Sequence, residues 1–125
     1  MADLPGEVRK AWDERDGAVV FGTVDSSGKP NIIYVTCVGD YGGDRLVVAD
    51  NYFNKTRENI LAGSKGSMLF ITKGGKAYQV KGSLEYCRDG EIYVDMKKWN
   101  SSKHPGHAAV ALRVAEVYSG GDKLL

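Results

Sequence analysis

The stretch ADNYFNKTRENI, Ala49 to Ile60, holds the residues best placed to do chemistry. It joins the apolar run RLVVA to a segment that reads as a short helix, and Lys55 and Arg57 flank Thr56 where that helix begins. Helix starts attract negative groups, because the macrodipole and the unpaired N–H groups place partial positive charge there. Two cations at that end oppose the dipole by roughly 0.3–1 kcal/mol each unless an anion joins them. With Asn54 as the N-cap, Lys55 and Thr56 fall in the first turn. A phosphate placed there would meet backbone N–H groups, the Thr56 hydroxyl and the Lys55 ammonium together. The competing reading is a solvated helix face on which Glu58 offsets the cations. Taken alone, these residues favour the solvated face.

Other candidates are weaker singly. Thr36 and Cys37 interrupt the apolar run NIIYVTCV, residues 31–38. If that run pairs with residues 45–50, Thr36 approaches the same anion, although a threonine also simply suits a strand. Asp50 and Asn51 either meet the polar edge of a planar ligand or turn the chain. Tyr52 and Phe53 read as core or dimer contacts before they read as ligand contacts. Cys37 matters only if it faces a ligand, since an inert buried thiol is the commoner state. His104 and His107 stand in the turn-like SSKHPGH, with too few neighbouring ligands for a metal site. No G-x-G-x-x-G or Walker lysine motif occurs, which argues against Rossmann and P-loop nucleotide sites. No acid–base pair or nucleophile has a partner at suitable spacing, so no residue is named as catalytic.

The elements that must position these residues follow from periodicity and turn chemistry. Leu4–Glu14 reads as a helix with Pro5 in its first turn and Val8, Ala11 and Trp12 on one face. Strands are predicted over 18–24, 31–38 and 45–50, separated by DSSGKP and GDYGGD, so 18–50 reads as an antiparallel meander. Thr56–Ala62 is a short helix that Gly63 stops, with Ile60 and Leu61 toward the sheet. Residues 67–72 and 77–87 form a hairpin across KGGK, the second strand alternating Tyr78, Val80, Gly82, Leu84 and Tyr86 against polar partners. Gly82 marks a crowded point in a curved strand. Glu91–Trp99 is a helix of ambiguous phase, and 107–118 is a closing strand. Six strands and three short helices predict an α+β, mostly β domain over residues 1–125, an antiparallel barrel closed enough to hide its strand edges.

Bulk properties narrow the function. The chain has 125 residues, 42% hydrophobic and 26% charged, with a net charge of +1. That balance gives no global field to recruit nucleic acid or an anionic membrane, so any anion site is local. No apolar run reaches the ~20 residues of a membrane span. MADLPGEVRKAWDE is charged throughout, unlike a signal peptide, and Cys37 and Cys87 form no disulfide framework. These features predict a cytoplasmic protein.

Together, GAVVFGTVDSSGKPNIIYV, RLVVADNYFNKTRENI, GKAYQVKGSLEY and AVALRVAEVY resemble the pyridoxamine 5'-phosphate oxidase-like FMN-binding split-barrel family, in its short single-domain members. The resemblance covers Gly17 through Tyr118. It implies a six-stranded split β-barrel, a homodimer with FMN at the subunit interface, an unidentified redox partner, and flavin-dependent oxidoreductase or electron-carrier activity. By the same resemblance, Lys55 and Thr56 match the pair holding the FMN phosphate, with Asn54 before them. Tyr34, Val35 and Thr36 match the strand lining the cofactor. Ala49, Asp50 and Asn51 match the segment beside the isoalloxazine, largely through backbone groups, and Gln79 is expected near the cofactor. Asn59 is read as a brace for the helix. The family's true oxidases add a C-terminal arm with tryptophan and arginine and an arginine-rich phosphate strand, whereas this sequence has SGGDKLL and Ile33–Thr36. The resemblance therefore implies a related flavoprotein with its own chemistry. The alternatives are a split barrel that binds deazaflavin or haem, and a non-redox dimeric binding module.

Overall fold

The computed structural model describes residues 3–125. Its strands are β1 (Val19–Val24), β2 (Pro30–Val35), β3 (Val38–Tyr41), β4 (Arg45–Asp50), β5 (Gly66–Ile71), β6 (Ala77–Cys87), β7 (Ala108–Ser119) and β8 (Asp122–Lys123). Its helices are α1 (Gly6–Asp13), α2 (Lys55–Leu61) and α3 (Gly90–Trp99). The sheet is antiparallel throughout and runs β2-β1-β5-β6-β7-β4-β3, with β8 paired to β7.

This order corrects the predicted meander. Residues 31–38 do not form one strand. The run breaks at Thr36 and Cys37, and β2 pairs only with β1 while β3 pairs with β4. With the added β8, the six predicted strands become eight. The break has no glycine or proline to announce it. Its physical signature is a change of partner: Val19 faces Val35, and Val38 faces Val48. Two consecutive strands thus occupy opposite ends of the sheet, joined by two residues. Three peptide links reach at most about 11 Å. The sheet must therefore curl until its ends nearly meet, which makes a split barrel rather than an open sheet.

Alternation fills the interior. Phe21, Met68, Val80, Val110 and Leu112 point inward and are buried. Helix α1 plugs the barrel with Val8 and Trp12, whose indole lies edge-on to Phe70 at 5.1 Å. Pro5 takes the N-cap position instead of the first turn, which delays the helix to Gly6. An Arg9–Asp40 ion pair at 2.6 Å and the Leu4 N–H to Gly43 C=O bond fasten this end to the β3–β4 hairpin.

Helix α3 settles its ambiguous phase by packing Ile92, Met96 and Trp99 onto the outer face of β4 and β7, leaving Val94 exposed. Ala49, Ala109 and Ala111 lie beneath it, small enough for the helix to approach. On β6 the inward alternation holds. At Gly82, where the β6–β7 register shifts, an added Cβ would lie 1.7 Å from the Arg113 carbonyl oxygen. Only glycine fits that approach.

Candidate functional site

The site begins where the sheet ends. As a terminal strand, β2 has one row of backbone N–H and C=O groups with no strand opposite. A cavity of about 310 Å³ opens along that edge, lined by Tyr34, Val35 and Thr36 on one side and Ala49, Asn51 and Tyr52 on the other. Five of the predicted cofactor residues therefore converge on it: Tyr34, Val35, Thr36, Ala49 and Asn51. The lining is largely apolar, edged by unpaired main-chain groups, which suits a planar ligand with a polar rim.

Further along β2, a second cavity of about 220 Å³ is lined by Asp25, Lys29, Asn31, Lys55 and Asn59. Asn31 and Thr36 are five residues apart, roughly 16 Å along a strand. Strand β2 thus runs beside an apolar slot at one end and a separate, cation-lined cavity at the other. Lys55 is half exposed, and its Nζ lies 3.9 Å from Glu58 Oε1, a loose contact. Thr56 is buried, and its Oγ1 accepts a hydrogen bond from Asn31 Nδ2 at 3.0 Å, leaving its own O–H free to donate. Asn59 Nδ2 donates to Thr23 Oγ1 at 3.0 Å, so it braces α2 against β1 as predicted. Asp25 is held below the ordinary carboxylate range by the Lys29 N–H and the Ser27 hydroxyl, with Lys55 adding to the effect.

Four expectations change in detail. Asn54 occupies the N-cap position, but its side chain makes no capping bond; its carbonyl instead accepts the Glu58 N–H at 3.1 Å. Leu61 is exposed, so only Ile60 faces the sheet. Gln79 lies on the outward face of β6, accepting a bond from the Ser67 hydroxyl at 2.8 Å, and lines neither cavity. Asp50 is fully buried, and it lines neither cavity. It accepts Arg57 Nε at 2.7 Å and Nη2 at 3.0 Å, the Tyr86 hydroxyl at 2.5 Å and the Phe53 N–H at 3.0 Å. Burial pushes this carboxyl upward, but the bonds from Arg57, Tyr86 and Phe53 outweigh it and hold the group below its usual range. Burial and the Asp50 charge push the Tyr86 phenol up. Arg57 is therefore the counter-ion of Asp50 and not part of an anion site.

Asn51 presents its edge to the cavity while its side chain fastens the α3–β7 connection. Its amide exchanges bonds with Asn100 at 2.9 and 3.2 Å and accepts the Gly106 N–H at 3.0 Å. That connection brings His104 to the cavity wall, where Nδ1 lies 3.1 Å from the Tyr52 hydroxyl. His104, Cys37, Lys29 and Asn31 also line these cavities. The sequence offers His104 only as an axial ligand in the haem alternative and Cys37 only as a thiol that could face a ligand, and it does not single out Lys29 or Asn31. A signal existed for Asn31: it shares the inward face of its strand with Ile33 and Val35, an unexpected place for an amide.

A family profile described as pyridoxamine 5'-phosphate oxidase matches residues 4–120. The chain belongs to that family. Its fold is similar to that of HupZ from Group A Streptococcus, with a TM-score of 0.80, 21% identity and 93% of each chain covered. An FMN-binding protein from Syntrophomonas wolfei is similar at 0.77 and 19%, over 89% of this chain and 82% of that one. HutZ, the haem storage protein of Vibrio cholerae, is similar at 0.67 and 15%, over 94% and 95%. The shared architecture thus hosts more than one cofactor. Among the described residues no helix is long and apolar enough to cross a membrane.

Proposed function

We propose that this protein is an FMN-binding flavoprotein, a flavin-dependent oxidoreductase or electron carrier, acting as a homodimer in the cytoplasm. The observation that carries this reading is the pair of cavities along β2, which the proposed ligand spans. The apolar slot ends in unpaired main-chain groups, and Lys55 stands with Thr56 and Asn31 at the far end. An elongated ligand with a planar ring and a terminal phosphate matches both ends at once. Bound there, FMN supplies hydride or single-electron transfer. Lys55 and the Thr56 O–H hold the phosphate. The edges of β2 and of Ala49–Asn51 orient the ring, and Tyr52 and Phe53 keep water from its flank.

The proposed dimer rests on an exposed apolar surface. Ile32 and Tyr34 on β2, with Leu69 and Ile71 on β5, are all more than two-fifths exposed. Tyr34 and Leu69 both face Val20 in register, so the residues form one contiguous patch, of the kind that marks an interface. The unpaired Cys37 and Cys87 suit a reducing compartment.

A second reading has its own observation: His104 faces the same slot. An imidazole there is a potential axial ligand, which would make the cofactor haem. Titration of the purified protein with FMN and with haemin separates the readings, followed by mass measurement of any co-purified group, deazaflavin included. Flavin fluorescence quenched at micromolar concentration supports the proposal. Haemin binding lost in His104→Ala, with no flavin quenching, rejects it.

A further inference from the structure

A cavity of about 630 Å³ shares no lining residue with those along β2 and lies where β7 bulges against β6. The register shifts between Lys81 and Gly82 because Ala115, between Val114 and Glu116, is an extra residue on β7 with no partner on β6. A bulge of this kind bends the strand that carries it and sharpens its twist. Gly22, Gly66 and Gly82 contribute to the cavity's lining and bring main chain to the surface.

The hollow is cationic. Lys65, Lys81 and Arg113 line it, and Glu116 is its one carboxylate. No ion pair among the described residues engages any of the three cations. Glu116 Oε2 is occupied by the Tyr118 hydroxyl at 2.8 Å, and Lys81 rests over the Tyr118 ring at 4.9 Å. Arg113 Nε is buried without a hydrogen-bond partner. A donor withdrawn from water and left unpaired is unusual in a folded protein and asks for an acceptor. The planar guanidinium is suited to two oxygens of one group. Lys81 lies two residues along β6 from the Ser83–Arg113 pair, roughly 7 Å away, so two anionic groups on one ligand would be met separately.

We infer that this hollow is a second binding site, one that takes a small molecule carrying at least two anionic oxygen-rich groups, of the diphosphate or dicarboxylate type. The ligand is held by Arg113 and Lys81, with Lys65 closing the rim. The site shares no lining residue with the cavity beside Lys55.

Isothermal titration of the purified chain with inorganic pyrophosphate, and separately with succinate, tests this. Saturable binding of at least one probe is expected, and the tighter probe assigns the anion class. Arg113→Gln and Lys81→Gln should each weaken it at least tenfold, Arg113→Lys less, and Lys55→Ala under twofold. If Arg113→Gln fails to fold, the exposed Lys81→Gln carries the comparison alone. No saturable binding of either probe overturns the inference. So does binding indifferent to Lys81→Gln, or equal loss in Lys55→Ala, which would report diffuse charge only.

Discussion

Lys55 and Arg57 stand two residues apart, carry the same charge, and meet opposite fates. Arg57 is consumed by the buried Asp50, whereas Lys55 keeps only a loose contact with Glu58. The sequence exposes both cations equally, because the Asp50–Arg57 pair is a tertiary contact that no helical spacing announces. Lys55 is therefore the anchor to test. Lys55→Ala should weaken FMN binding by about 1–3 kcal/mol, the range for a hydrogen bond to a charged group. Fluorescence titration reads this, and unchanged affinity would remove the phosphate anchor. Asp50 gives a stability prediction instead. Its folded-state carboxyl is depressed, so its contribution is complete above the unfolded value near ~3.9 and is lost as pH falls through the lower folded value. Asp50→Asn should cost about 3 kcal/mol at neutral pH and flatten the acid limb of stability. Urea midpoints measured from pH 7 down to pH 3 decide it; an undiminished acid limb would show that other carboxyls govern it.

Elements were legible wherever composition changes abruptly. The β5–β6 hairpin, the crowded Gly82 and the short α2 ending before Gly63, at φ +95°, all stand where turn chemistry and alternation place them. The β2–β3 break was not legible, since Thr36 and Cys37 interrupt the apolar run without a glycine or proline, and only pairing partners betray the change. The phase of α3 was equally hidden, because Ile92, Val94, Met96 and Trp99 offer more than one stripe until Ala49, Ala109 and Ala111 supply a flat seat. Met96 is fully buried in that seat, and Met96→Ala should cost about 2–5 kcal/mol in chemical denaturation. Gly82→Ala should cost about 3 kcal/mol or more, because the obstacle is the Arg113 backbone and not a movable side chain. A near-neutral Gly82→Ala would mean that the bulge relaxes.

At the scale of the molecule, the apolar outer patch and the slot beside β2 share Tyr34. Association and cofactor retention should therefore fail together. Ile32→Lys, on the patch but outside both cavities, should shift the flavin-loaded protein from dimer to monomer in sedimentation and speed flavin loss. A holo-monomer in the unaltered protein would reject the dimer outright. The family was legible because its motifs keep their order, while the choice of cofactor was not, since it depends on how distant segments such as SSKHPGH fold over the slot. The short tether between the sheet's two ends has one more consequence. A barrel whose last seam is left unstitched has a row of main-chain donors and acceptors waiting for a rung. A guest that fills it completes the wall, and it is read by groups that no side-chain replacement can delete. Amide hydrogens of residues 33–37 should then exchange more slowly once the guest is in, even when Tyr34 or Thr36 has been changed to alanine.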